Sequence, residues 1–411
     1  MLFGIKTLDD FAFKGKTVLL RVDINCPVDK ESKRIKDDTR IRRSLPSIKE
    51  LAEKEARLVI LAHQADPLDY QNFILLREHS EILGRLLGKK VNYIEDIAGP
   101  YALESISKLK PGEILLLENI RLYTEETIIF EKEVKLPPEK QTETFLVKKL
   151  SSLADIYICD AFAAAHRSEP SLVAFPRLLP SGCGRLFEEE VRVLTKVRDN
   201  PELPCVFVLG GAKILDAFKM MEKVLEKGSA DKVLTQGLVG EIMLLAKGYS
   251  LGATTEKFIK EKNLEEFIHQ AKKLLETYPE KVIYPQDIAI EEKERRKEHP
   301  VSSLPVDGLI VDIGEETIKT YEKIIQEAGT VFLNGPAGIY EEEIAREGTR
   351  RIWEKIAKSK AFSVIGGGDT ISAAKKFGLE KDFSYISTAG GGLVRFISGE
   401  KLAVIEALSC S

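Results

Sequence analysis

The strongest constraint on how this chain folds is an alternation that runs its whole length. Short apolar runs the size of a strand take turns with amphipathic stretches the size of a helix. The strand-like runs are 17–22, 58–62, 91–94, 114–117, 155–159, 205–209, 232–235, 282–284, 309–311, 331–333, 362–365 and 385–387. Helical patterns fall between them at 38–54, 78–87, 142–153, 214–226, 263–277, 316–327 and 341–357. A run that is apolar throughout is buried on both faces, and a strand followed by a helix returns parallel to itself. The predicted class is therefore α/β, with two doubly wound parallel-sheet (Rossmann-like) domains joined by a helix and a cleft between them.

Five of these runs precede residue 185 and seven follow residue 200, about six to each half, and 411 residues suffice for two domains of ordinary size. The expected divisions are 1–185, a connecting helix at 186–200, 201–392, and a last segment at 393–411. The connector carries the charged stretch Phe187–Asp199 and is closed by Pro201 and Pro204. The mixed-sign run Glu291–Pro300 reads as a solvated loop.

Composition narrows the partners. With 61 basic against 65 acidic residues, net charge −4, nothing argues for nucleic acid or an anionic membrane. Five cysteines without a Cys-x-x-Cys pair argue against a disulfide framework or a zinc site and for a cytoplasmic setting. Residues 1–10 are too short and too acidic a stretch for a signal peptide, and no apolar run is long enough to span a membrane.

The second half carries four glycine-rich turns at predicted strand ends. In Phe362-Ser-Val-Ile-Gly-Gly-Gly-Asp-Thr370, Gly366, Gly367 and Gly368 follow a buried run, and Thr370 reads as the N-cap of the next helix. Such a turn leaves free N–H groups and a positive dipole end, which suits phosphate, and Asp369 could hold Mg²⁺ beside it. Leu209-Gly-Gly-Ala-Lys213 repeats the design, with Gly210 and Gly211 turning the chain and Lys213 supplying a mobile positive charge. In Val331-Phe-Leu-Asn-Gly-Pro-Ala-Gly-Ile-Tyr-Glu341, Asn334 ends a strand and Glu341 opens a helix, placed to accept from ribose hydroxyls or to complement the helix dipole. Ser387-Thr-Ala-Gly-Gly-Gly392 is the fourth. Ligands of open parallel sheets gather at the carboxyl ends of the strands, so four such turns point to one nucleotide site.

In the first half the strand ends carry basic and polar groups. Asp23 and Asn25 end the first strand and are expected to point the same way, because strand side chains alternate. Arg40 lies near a helix start, His63 ends the second strand, Arg121 ends another, and His166 and Arg167 follow Asp160-Ala-Phe162. Cationic or potentially cationic groups gathered at the ends of one sheet suggest an anionic substrate, with Asp23 and Asn25 recognising a hydroxyl. His166 reads as orienting its neighbours.

Together these segments resemble the phosphoglycerate kinase family over nearly the whole chain. The matching motifs are Arg-Val-Asp-x-Asn, Asp-x-Thr-Arg-Ile, Leu-Glu-Asn-x-Arg, Asp-Ala-Phe-x-x-Ala-His-Arg, Leu-Gly-Gly-Ala-Lys, Asn-Gly-Pro-x-Gly and Gly-Gly-Gly-Asp-Thr. The wording Ala163-Ala-Ala-His-Arg-Ser168 is similar to archaeal members. The resemblance implies reversible phosphoryl transfer between 1,3-bisphosphoglycerate and MgADP, giving 3-phosphoglycerate and MgATP. It implies that Asp23, Asn25, Arg40, His63, Arg121 and Arg167 hold the phosphoglycerate. The nucleotide falls to Gly210, Gly211, Lys213, Asn334, Glu341, Gly366, Gly367, Gly368, Asp369 and Thr370, and the metal to Asp369. Arg40, Lys213, Gly367 and Gly368 would meet the phosphoryl group in transit. It further implies a monomer of two closing lobes, with the C-terminal segment returning to the first lobe.

Three departures stand out. Asp66 occupies a place where the family often has an Arg and is repulsive toward phosphate; Arg77 is a candidate to compensate. Ala217 stands where a second Lys often follows, with Lys219 a poor geometric substitute. Thr388-Ala-Gly-Gly-Gly392 is a mild variant. A kinase of another small acid and a non-catalytic nucleotide-binding protein are the alternatives.

Overall fold

The computed structural model describes residues 3–410, and the chain forms two compact units. The first comprises the residues up to Arg192 together with those from Lys401 onward; the second runs from Val193 to Glu400.

In the first unit the strands are β1 (Thr17–Arg21), β2 (Arg57–Leu61), β3 (Val91–Tyr93), β4 (Ile114–Leu116), β5 (Ile156–Cys159) and β6 (Ser181–Cys183). They form one parallel sheet in the order β3-β4-β2-β1-β5-β6. Leu19 of β1 pairs with Val59 on one side and Tyr157 on the other. Both faces of this sheet are covered, which is why its strands read as unbroken apolar runs. On one side Val18, Leu20, Leu58 and Ile60 pack with Ile41, Ile48 and Leu51 of the helix Thr39–Glu53. Strand order reverses between β1 and β5, so the crevice for a ligand lies at their carboxyl ends.

The second unit contributes β7 (Cys205–Leu209), β8 (Lys232–Thr235), β9 (Val282–Ile283), β10 (Asp287–Glu292), β11 (Arg295–Pro300), β12 (Ile310–Ile313), β13 (Thr330–Asn334), β14 (Phe362–Gly366) and β15 (Tyr385–Ser387). Six of them make a parallel sheet in the order β15-β14-β13-β7-β8-β9, whose switch point lies between β7 and β13. The single tryptophan, Trp353, is fully buried in its core beside Ile352, Ile356 and Ile365.

The small antiparallel sheet β11-β10-β12 corrects two expectations. The run at 309–311 belongs to it and not to the parallel sheet. Glu291–Pro300 is no loop: it ends one strand and forms the next, joined by Lys293 and Glu294, both with positive φ. Charged side chains suit the exposed edge strand β11, where they discourage further pairing, and they hide its periodicity. The helix Arg185–Asp199 carries the chain from the first unit to the second. At the far end residues 393–400 stay with the second unit, so the segment that joins the first begins at Lys401. There the helix Ala403–Ser409 is anchored by the Val404 N–H on the Ala165 carbonyl at 3.1 Å.

Candidate active site

In the second unit all four glycine turns reach one small pocket of about 70 Å³. It is lined by Gly210, Gly211 and Lys213 after β7, Asn334 and Gly335 after β13, Gly367 to Thr370 after β14, and Gly390 and Gly391 after β15. The first three of these turns are tied to one another. The Gly210 N–H donates to the Asn334 carbonyl at 2.9 Å, the Asn334 amide to the Gly366 carbonyl at 2.8 Å, and the Gly335 N–H to the Thr370 hydroxyl at 2.8 Å.

That last bond corrects the expected role of Thr370. The helix spans Gly368–Lys376, and its cap position is Gly367, at φ +95°, a conformation that favours glycine. Thr370 sits inside the first turn and uses its hydroxyl to hold the neighbouring turn. No side chain caps this helix, an arrangement that suits an anion at its first N–H groups. At Gly368 a Cβ would meet nothing within 4 Å, so the folded chain itself does not require glycine there.

The small pocket shares Gly211, Ala212 and Asp369 with a larger one of about 300 Å³. Leu238, Phe258, Leu309, Val311 and Ile339 give it apolar walls, and Glu241 and Glu341 are its carboxyls besides Asp369. Glu341 does not open a helix, as expected from sequence; it lies in a turn, and the helix starts at Glu347. Lys219 is ion-paired with Glu400 and does not stand in for the buried Ala217.

In the first unit, β1 pairing ends at Arg21, so alternation does not orient Asp23 and Asn25. Loop hydrogen bonds do. The Asn25 N–H donates to Asp23 Oδ1, and Asn25 Oδ1 accepts from the Ala65 N–H, both at 3.0 Å. Arg40 forms an ion pair with Asp23 Oδ2. Burial alone would raise the Asp23 pKa; the Arg40 charge and the Asn25 N–H outweigh it and keep the carboxyl below its ordinary value.

His63 is not a cation here. It is buried, and its Nδ1 faces Arg21 Nη2 at 3.1 Å. A guanidinium only donates, so Nδ1 accepts and the ring is neutral with its proton on Nε2. Burial first, and the Arg21 charge second, hold its pKa well below the usual value.

Arg121 and Arg167 already have carboxylate partners. Arg121, with 2% of its side chain exposed, reaches Asp66 at 2.9 Å and Glu169 at 2.8 Å. Arg167 lies 3.3 Å from Glu131 and 3.6 Å from Glu169. Asp66 is thus neutralised by Arg121. Arg77 plays no part in this, being paired with Glu95 at 2.5 Å and set over the Tyr93 ring.

The sequence model of the family described as phosphoglycerate kinase matches residues 8–400. The chain belongs to the phosphoglycerate kinase family. The phosphoglycerate kinase of Methanothermus fervidus is 47% identical over 407 residues, covering 99% of this chain and 97% of that one. The phosphoglycerate kinase of Thermococcus kodakarensis is 44% identical over 408 residues, covering 98% and 97%. A crystal structure of phosphoglycerate kinase from Pyrococcus horikoshii is 41% identical, covers 98% of each chain and superposes with a TM-score of 0.88.

Several residues around this phosphoglycerate kinase family site escaped sequence reasoning. Arg21 has no exposed surface and donates to the Val22 carbonyl at 2.6 Å and to Ser171 at 3.1 Å. Ser171 in turn holds both oxygens of Glu126, at 2.7 and 2.6 Å. Burial, and then the nearby Glu169, raise the Glu126 pKa above its ordinary value. Asp216 lines the small pocket. Glu126 and Glu169 stand in or beside short helical turns with no periodicity to mark them as buried. Among the described residues no helix is long and apolar enough to cross a membrane.

Proposed function

We propose that the second unit binds ADP or ATP and the first binds 3-phosphoglycerate or its acyl phosphate. The four turns lining one pocket, three of them hydrogen-bonded to one another, and the larger apolar pocket that shares Gly211, Ala212 and Asp369 with it support this reading. The phosphates sit on the uncapped N–H groups of Gly367, Gly368 and Asp369 and on Lys213. The ribose meets Glu341, and the base enters the apolar pocket. Gly210, Gly211, Gly366, Asn334 and Thr370 hold the turns in place.

Asp369 is open to the phosphate pocket, and Asp216 shares it. One or two carboxylates plus phosphate oxygens are what Mg²⁺ ordinarily takes, so these residues fit it. Mg²⁺ bound there would offset phosphate charge. Among the described residues no group of three or more His, Cys, Asp or Glu side chains forms a metal site by itself.

In the first unit Arg40, Arg121 and Arg167 hold phosphoglycerate, and Asp23, Asn25 and the Nε2–H of His63 hold its hydroxyl and carboxyl oxygens. In the ATP-consuming direction the acceptor carboxylate attacks the γ-phosphorus in line as the bond from that phosphorus to the β,γ-bridging oxygen breaks and ADP leaves. The carboxylate is already ionised at neutral pH, so neither a nucleophilic side chain nor a general base is needed. Arg40, Lys213 and the Gly367–Gly368 helix end neutralise the charge that spreads over the equatorial oxygens. A soluble cytoplasmic monomer is the matching form.

The test is ATP formation from ADP and 1,3-bisphosphoglycerate in a coupled assay. Turnover abolished by Lys213→Ala, with 3-phosphoglycerate binding intact, is expected. Unchanged turnover in that variant would reject the assignment, and turnover only with another acyl phosphate would favour a different small-acid kinase.

A further inference from the structure

The helix Gly237–Ala246, Gly-Leu-Val-Gly-Glu-Ile-Met-Leu-Leu-Ala, has one charged residue in ten, and that residue is buried. Glu241 is 7% exposed, lines the larger apolar pocket, and its Oε2 has no hydrogen-bond partner. A buried carboxyl with an empty acceptor is costly unless something binds there.

Among the described residues none serves it as a counter-ion. Among charged groups on the elements packed against this helix, Asp312 of β12 is held by Arg296 at 2.8 Å. Lys232 of β8 bonds to the Glu280 carbonyl. On the helix Ile214–Lys227, Glu222 accepts from Gln270 of the helix Phe267–Thr277 at 3.4 Å, Lys219 pairs with Glu400, and Asp216 lines the phosphate pocket. The remaining charged side chains of those two helices are exposed. Within the pocket the other titratable groups are Tyr340, Glu341 and Asp369, the last at its phosphate end. Burial is the one cause that raises the Glu241 pKa, to about 8.

We propose that the Glu241 carboxyl hydrogen-bonds to the edge of the nucleotide's purine base and thereby sets the preference between adenine and guanine. The proposal rests on the nucleotide reading of this pocket given above. A protonated carboxyl has one donor and one acceptor, so it matches either purine. It accepts from the adenine amino group and donates to ring N1, or donates to the guanine oxygen and accepts from N1–H. An ionised carboxylate only accepts. It pairs with the N1–H and amino group of guanine, but it faces the bare N1 of adenine with a lone pair. Ionisation therefore weakens adenine binding relative to guanine.

The experiment is calorimetric binding of ADP and of GDP, without metal, to the full chain between about pH 6.5 and about pH 8.5, a range in which guanine keeps most of its N1–H. The ratio of ADP to GDP affinity is expected to fall about fourfold or more across that range. In Glu241→Gln, whose amide keeps one donor side and one acceptor side at every pH, the ratio is expected to stay flat. A flat ratio in the wild type, which needs no variant to fold, would overturn the inference while leaving the nucleotide site standing. A fall of equal size in Glu241→Gln would overturn it too. Binding of neither nucleotide would instead reject the reading of the pocket, and the inference with it.

Discussion

Replacing Glu241 by Gln should stabilise the second unit, by an amount that grows with pH. The folded unit holds this carboxyl protonated up to about 8, whereas the unfolded chain releases the proton near 4.5. Between those values the folded state carries the extra proton, so wild-type stability falls as pH rises and levels off above the folded value. The slope is about 1.4 kcal/mol per pH unit for one proton. From about pH 5 to about pH 7 the variant's advantage should therefore widen by about 3 kcal/mol. Trp353, buried in the second unit, gives a fluorescence signal specific to it. Urea unfolding followed at that tryptophan, for both proteins at both pH values, measures the widening. An advantage that stays constant within about 0.5 kcal/mol would refute the claim that the carboxyl is protonated in the folded chain.

Arg40→Ala should lower kcat by about a hundredfold or more, while Arg167→Ala mainly raises KM for phosphoglycerate; steady-state kinetics giving the reverse would exchange their roles. Arg121→Met leaves Asp66 and Glu169 without their shared guanidinium and should cost the first unit about 3–5 kcal/mol in urea unfolding; a loss below about 1 kcal/mol would contradict the burial argument. Gly368→Ala has room for its methyl group. It should leave thermal stability equal or slightly raised while weakening ADP binding about tenfold, and unchanged ADP affinity would remove the helix end from the phosphate site.

Much of the architecture was legible because parallel strands buried on both faces leave unbroken apolar runs, as at Cys205–Leu209 and Thr330–Asn334. Strand β6 left no such signal. It spans only Ser181–Cys183, and its middle residue is a glycine that passes against the Lys6 carbonyl, where a Cβ would come within 2.7 Å. The hairpin β10–β11 was hidden by charged edge residues and by a turn of Lys293 and Glu294 in place of the Asn-Gly that marks such turns. In the site, the glycine turns were visible because their residues are sequential and their positions at strand ends follow from topology. What sequence left open was the state of the side chains. That His63 is neutral follows only once Arg21 is seen to donate to it, and that Asp66 is neutralised follows only from the 2.9 Å contact with Arg121, 55 residues away. Nothing in the sequence around Glu241 marks it as buried; only the packing of its helix does.

The most direct test is a crystal structure of the protein soaked with ADP and Mg²⁺. The diphosphate is expected against the N–H groups of Gly367 to Asp369 and beside Lys213, with the base in the apolar pocket at Glu241. A diphosphate bound elsewhere, leaving the pocket of four turns empty, would contradict the account at its centre.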